Sequence, residues 1–319
     1  PTQLMAQAVS AAISDAGVTS LGLPVQAPAD HGIGPIAAIH PQRYLTFLQT
    51  IHARWQHIPG ASAEVNPNIH PANRTDGYPL SAVGQAGFHM TDTSCPINAQ
   101  TWGAAYASAQ AAIAGSEAIL HGARQAYALC RPPGHHAETA TAMGFCLFGT
   151  VAIAAKRALD HHGLSRVAIV DFDVHHGNGT QDLLWDEGRC LFASSHQMPL
   201  YPGTGSPREV GAHGQIVNAP LSEGSDGAQM RRVYDSVIFP RLVAWQPELI
   251  LISAGFDAHA DDPLAGLDWQ AEDYAWLTTR LCEIAADCAG GRVVSCLEGG
   301  YDLGALTESV AAHVGVLAS

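Results

Sequence analysis

Asp171, Asp173 and His175 stand two residues apart in DFDVHHGNGT, residues 171–180. On a strand, side chains two apart share a face. These three would point one way, and Phe172 and Val174 the other way, into packing. A carboxylate and an imidazole on one face are natural ligands for zinc or a similar borderline metal. A mononuclear catalytic zinc takes three protein ligands and keeps a fourth position open. Asp257, after the apolar run in LISAGFD, is the best candidate for the third. A carboxylate following such a run needs a partner or a metal to be tolerated. A DxH pair by itself has a plainer use, since either residue can cap a helix or satisfy buried backbone.

Two further motifs carry acid/base and oxyanion chemistry. GHH at 134–136 sets His135 and His136 on a tight turn after Pro132-Pro133. Histidine is the usual general acid/base near neutral pH. Adjacent histidines need carboxylate or amide partners to fix their tautomers, and Asp171 and Asn178 are available. A second doublet, His161-His162 in LDHHGLS, falls at a helix end and reads as a surface pair. His176, beside His175, is assigned to structure. Tyr301 in LEGGYDL follows Gly299 and Gly300, whose backbone freedom can swing a phenol into a site. Such a phenol can donate to a developing oxyanion; standing alone it would read as a packing tyrosine on a turn.

The elements that must position these residues alternate. Strand-like apolar runs lie at 126–130, 166–173, 189–195, 248–255 and 292–300. They are apolar on both faces, as strands of a buried parallel sheet are. Amphipathic helical stretches fall at roughly 102–121, 146–162, 226–244, 269–288 and 304–317. The alternation predicts an α/β fold with a mostly parallel sheet and helices on both faces. Ligands of such folds gather at the carboxyl ends of the strands. RPPGHHAE, DFDVHHGNG, SAGFDAHADDP and LEGGYDL all fall at such ends. Residues 66–98, rich in Pro, Gly, Asn, Asp, Ser and Thr, fit no regular element, and a loop of this length is usually functional. With no repeat or low-complexity linker, residues 1–319 read as one domain.

Composition narrows the partners. The 319 residues carry a formal net charge of −14, with 47% hydrophobic and 14% charged residues. That is not a disordered chain, and its acidity argues against a nucleic-acid backbone as partner. The 7 cysteines show no CxxC spacing and read as buried free thiols in a reducing compartment. No apolar stretch reaches transmembrane length. The expectation is a cytoplasmic protein that binds neither membrane nor nucleic acid. The chain opens at Pro1 without a methionine, so residues upstream of it are expected.

In order, RPPGHHA…GFC, DFDVHHGNGT, YPGTG, SAGFDAH…DPL and EGGYDL resemble the zinc-dependent histone deacetylase superfamily, closest to bacterial acetylpolyamine amidohydrolases and histone-deacetylase-like amidohydrolases. The resemblance runs from about residue 95 to the C-terminus and is loose before that, through IHPQRYLTFL. It implies an arginase/deacetylase-like sheet of about eight strands. It implies one zinc held by Asp173, His175 and Asp257, with His136 as general base and then acid. His135 would be the electrostatic partner, Asp171 would pair with His135, and Asn178 with His136. Tyr301 would polarise the amide carbonyl. Phe145 and Tyr201 would wall a narrow acyl-amine tunnel, with the Gly144 backbone and Leu264 near its mouth. A structural K+ would lie near Asp171 and Ser194. In the bacterial polyamine enzymes a long loop narrows the tunnel and builds a dimer. Residues 66–98 are its counterpart here, with Asp76 and Asp92 as amine contacts, so a homodimer or higher homo-oligomer is expected. Asn178 stands where class I members carry aspartate, which weakens the push on His136. Leu264 stands where the vertebrate polyamine-selective branch has a glutamate.

The implied reaction is hydrolysis of an N-acetylated amine, foremost an acetylpolyamine or similar small acyl-amine. Protein acetyl-lysine and other small or xenobiotic amides are the alternatives. An arginase-like two-manganese ureohydrolase would need a second carboxylate two residues after Asp257, where His259 stands. A non-catalytic acyl-ligand binder should have lost Tyr301 or a histidine of the doublet, and the chain keeps all three.

Overall fold

The computed structural model describes residues 17–70 and 77–319. Asp76 lies outside them. Six strands are present among the described residues: β1 Gln125–Ala128, β2 Val167–Asp171, β3 Cys190–Gln197, β4 Ile216–Leu221, β5 Leu249–Ala254 and β6 Val293–Leu297. They form one sheet in the order β1-β6-β5-β2-β3-β4, every pair parallel. The runs VAIVD of β2, LILISA of β5 and VVSCL of β6 are buried along their whole length. This is why they read as continuous apolar stretches rather than alternating ones.

Among the described residues the count is six where about eight were expected from the resemblance. One of the six, β4, has no apolar signature: Asn218 and Pro220 interrupt IVNAPL. Proline cannot donate to a ladder and is tolerated at a sheet edge, where β4 lies.

Helices α1 Gln42–Trp55, α2 Ala82–His89, α3 Thr101–Leu120, α4 Thr150–Asp160, α5 Asn178–Leu183, α6 Gly227–Val233, α7 Phe239–Trp245, α8 Ala271–Cys288 and α9 Leu303–Leu317 surround the sheet. A π turn, Tyr234–Ile238, joins α6 to α7. One sheet face packs Ala168, Val170, Ile250 and Ile252 against Leu277 and Leu281 of α8 and Val310 of α9. The other packs Val167, Ile169, Leu249 and Leu251 against Ala112 of α3 and Val151 and Ala155 of α4. A separate apolar cluster joins α1, α2 and α3 to Leu147 and Phe148.

Residues 66–98 are not wholly irregular. They contain α2, capped by the Ser81 hydroxyl, which accepts from the Gly84 amide at 3.1 Å. AVGQAGFH, with two glycines, has poor intrinsic helix propensity. Packing supplies what propensity lacks, since Arg43 of α1 lies 4.8 Å over the Tyr78 ring and 5.6 Å over that of Phe88. Residue 65 is pinned to residue 97 by a two-way backbone bridge, which closes the base of the segment. Among the described residues, no helix is long and apolar enough to cross a membrane.

Candidate active site

Four neighbouring strands, β1, β6, β5 and β2, deliver the polar motifs to one end of the sheet. Beyond β2 the Phe172 amide still donates to the Ser253 carbonyl at 3.1 Å, and the Val174 carbonyl accepts from the Gln197 amide of β3 at 2.8 Å. The regular strand nevertheless ends at Asp171, so strict alternation stops governing which way Asp173 and His175 point. Asp173, His175 and Asp257 are all buried and offer ligand atoms within 4.8 Å of one another. His175 Nδ1 lies 3.1 Å from Asp173 Oδ1 and 3.2 Å from Asp257 Oδ2. Glycine is required opposite them: a Cβ on Gly299 would overlap carboxylate oxygens of both Asp257 and Asp173. The Gly299 amide instead donates to Asp173 Oδ2 at 2.9 Å.

The electrostatics fit a divalent cation. Asp171, Asp173, Asp257 and Glu298 are all at most 1% exposed. Buried carboxylates need countercharge, and the cationic side chains among them are histidines. Burial pushes His175 down, but Asp173 and Asp257 outweigh it and raise it to about 10. A site that pulls this hard on a proton offers the same field to a metal. Two carboxylates and one imidazole form an N/O donor set suited to zinc.

The two adjacent histidines sit in different environments. His135 Nδ1 donates to Asp171 Oδ2 at 3.0 Å. Burial disfavours its charged form, but Asp173 and Asp171 outweigh this and hold it well above the usual histidine value. His136 Nδ1 lies 2.8 Å from Asn178 Oδ1. The Asn178 amide nitrogen donates to Glu138 at 3.1 Å, which fixes which end of the amide faces His136. Nδ1 therefore carries the proton and Nε2 keeps its lone pair. Burial, with the charges of His135 and His175, holds His136 well below the usual value. It is neutral and able to accept a proton at physiological pH.

Tyr301 faces the same end of the sheet. Its ring makes an edge contact with Phe145 at 5.7 Å. Burial pushes its phenol up, so the hydroxyl stays a donor. Tyr201 packs beside the histidines, its ring 5.1 Å from His136 and 6.2 Å from His175. Gly144 and Phe145 both adopt positive φ, 53° and 69°. A Cβ at Gly144 would overlap the His136 ring, so the backbone lies directly on that imidazole. Leu264 is 44% exposed, at the rim of the segment following Asp257. Ser194 pairs in register with Asp171, and its hydroxyl lies 3.0 Å from His196 Nδ1. His176 is buried between Thr204 Oγ1, at 2.8 Å, and Gln181 Oε1, at 3.2 Å. His162 contacts Glu117 at 3.0 Å, just past the end of α4.

Three residues that sequence reasoning did not single out complete the site. Glu298 is fully buried and accepts from the Gly134 and His135 amides at 2.6 and 3.1 Å, and from Ser253 Oγ at 3.1 Å. Asp262 accepts from the amides of Tyr301 at 2.8 Å and Leu264 at 3.0 Å. Arg131 donates to the Gly300 carbonyl at 3.2 Å and lies 5.7 Å from the Tyr301 ring centroid. Each lies inside a quoted motif, Arg131 in RPPGHHAE, Asp262 in SAGFDAHADDP and Glu298 in LEGGYDL, with no spacing that marks it out.

A parallel α/β sheet with an Asp-His-Asp group that could hold a metal ion, a histidine pair and a tyrosine at its carboxyl end is the build of a hydrolase of the arginase/deacetylase fold. The family model described as "Histone deacetylase domain" matches residues 6–317, and the chain belongs to this family of amidohydrolases. The acetylpolyamine amidohydrolase of Burkholderia pseudomallei is 41% identical over 258 residues, 78% of this chain and 73% of that protein. Chloroplastic histone deacetylase 10 of Oryza sativa subsp. japonica is 50% identical over 188 residues, 58% of this chain. The matched stretch spans 42% of the rice protein's length. A crystal structure of the acetylpolyamine aminohydrolase from Burkholderia pseudomallei superposes with a TM-score of 0.88 at 36% identity, covering 97% of this chain and 90% of that one.

Proposed function

We propose that the protein is a zinc-dependent deacetylase that hydrolyses the amide of small N-acetylated amines, with acetylpolyamines as the foremost class. The observation that carries this is the neutral, Asn178-oriented His136 beside the buried Asp173–His175–Asp257 group. When bound there, zinc supplies a Lewis acid and a more acidic water. The chain's own residues do the rest. His136 Nε2 takes a proton from the attacking water and delivers it to the leaving amine nitrogen. Asn178 holds Nδ1–H in place, so that the lone pair stays on Nε2. Tyr301 donates to the carbonyl oxygen as it gains charge. His135, kept protonated by Asp171 and Asp173, offsets negative charge beneath the reacting group. Phe145 and Tyr201 flank the acyl-amine stem and exclude water, and Leu264 and Gly144 border the entrance.

The small-substrate reading is supported by the similarity to acetylpolyamine amidohydrolases over most of the chain. The acidic chain also suits an amine with a distal positive charge. Self-association through residues 66–98 is supported by Ile69 and Leu80, 61% and 91% exposed on that segment. Seven free cysteines support a reducing compartment, the cytoplasm. The K+ site implied near Asp171 and Ser194 draws no support from these side chains. Both Asp171 oxygens and the Ser194 hydroxyl are already bonded within the chain.

A mass-spectrometric screen tests the substrate class. Acetylputrescine and acetylspermidine are expected to release acetate with higher kcat/KM than acetyl-lysine peptides or aryl amides. A clear preference for peptides would move the protein to the protein-deacetylase alternative.

A further inference from the structure

Asp92 was read from sequence as a contact for the substrate's distal amine. Its surroundings give it different work. Oδ2 accepts from the Tyr201 hydroxyl at 2.8 Å and from the Gly144 amide at 3.0 Å. Oδ1 accepts from the Ser94 amide at 2.9 Å and the Ser94 hydroxyl at 2.5 Å. A carboxylate has about four acceptor sites, and these four donors take them all. No acceptor remains for a substrate ammonium.

The two long-range donors come from separate segments of the chain that both abut the His136 ring. Tyr201 packs edge-on against His136, and Gly144 lies on the same ring with Phe145 next in chain. Phe145 in turn contacts Tyr301. Phe145 holds a left-handed backbone, φ 69°, that is strained for a non-glycine residue. Such a conformation persists only where neighbours over-determine it. The Asp92 bond to the Gly144 amide is one restraint on it, and the bridge between Met143 and Cys146 is another.

We propose that Asp92 is a positioning and specificity-determining residue that braces the two flanks of the substrate entrance, fixing its width and the seat of the His136 ring. This rests on the amide-hydrolase reading of the site. Without the brace, Tyr201 loses its acceptor and the Gly144–Phe145 turn loses its anchor. The entrance then admits thicker acyl groups, while His136 and Tyr301 lose alignment. The effect falls on kcat as well as KM and does not depend on charge at the far end of the substrate.

Asp92→Ala can be assayed with N-acetylputrescine and N-acetylpentylamine, which matches it in length but ends in a methyl group. The substitution is expected to lower kcat/KM by about tenfold with both, short of the roughly hundredfold cost of a 1 Å misplacement. It is also expected to weaken the preference for acetyl over butyryl. Tyr201→Phe should reproduce part of that relaxation, and adding Asp92→Ala to it should cost less than the sum of the two. Amide hydrogen exchange should rise in residues 142–146 and 198–205 and stay unchanged in α5. A loss confined to N-acetylputrescine, with exchange unaltered, would overturn the brace and restore the amine contact. If Asp92→Ala does not fold, Asp92→Asn keeps one acceptor oxygen and should show both effects in smaller measure; none with Asn would overturn the brace. Wild-type protein inactive on either amide would sink the hydrolase reading, and the exchange data would still decide the brace.

Discussion

Tyr301→Phe is expected to keep the metal and lose roughly 10²–10³-fold in kcat, the usual cost of removing one oxyanion donor. The substitution leaves the Asp173–His175–Asp257 set itself untouched. The ring should stay in place, because its restraints act on other atoms. The Tyr301 amide is bonded to Asp262, Arg131 holds the preceding carbonyl, and Phe145 packs the ring. Only the hydroxyl is lost, and its donation matters most when the carbonyl oxygen is negative. KM should therefore change little. Zinc content by mass spectrometry together with steady-state kinetics checks this. Full turnover in the variant would remove Tyr301 from the chemistry.

His136→Ala is expected to cost about 10²–10⁴-fold in kcat, the range for loss of a positioned acid/base. An amide's leaving group is a strongly basic amine that must be protonated as it departs, so the same nitrogen serves both halves of the reaction. His135 cannot replace it. Its Nδ1 is committed to Asp171, and the surrounding carboxylates keep it protonated and unable to accept. Metal content should again be unchanged, since His136 is not one of the three grouped residues. Wild-type activity in His136→Ala would move the base elsewhere.

How far the sequence carried depended on the kind of contact. β2, β5 and β6 were legible because strands buried on both faces write continuous apolar runs. The site was legible because Asp173, Asp257, His135 and Tyr301 break those runs at their carboxyl ends. Alternation alone made Asp171 a ligand candidate equal to Asp173. In the structure both Asp171 oxygens are engaged elsewhere, one by His135 and the other by the Asp173 amide at 3.1 Å. Glu298 and Asp262 stayed hidden for a different reason. A carboxylate that accepts from distant backbone amides obeys no spacing rule, since its partners are set by the fold. β4 and α2 stayed hidden because Pro220 and two glycines weaken the local signal, while pairing and packing restore the element. Asp92 was noticed, yet its partners, Tyr201 and Gly144, are 109 and 52 residues away.

The most direct test of the central claim is zinc titration of metal-stripped protein with acetate release from N-acetylputrescine as the readout. Activity is expected to be absent at the start, to rise linearly, and to level off at about one zinc per chain, the occupancy of a three-ligand site. Undiminished hydrolysis by the stripped protein, or a requirement for two manganese ions accompanied by urea release from guanidino substrates, would contradict it.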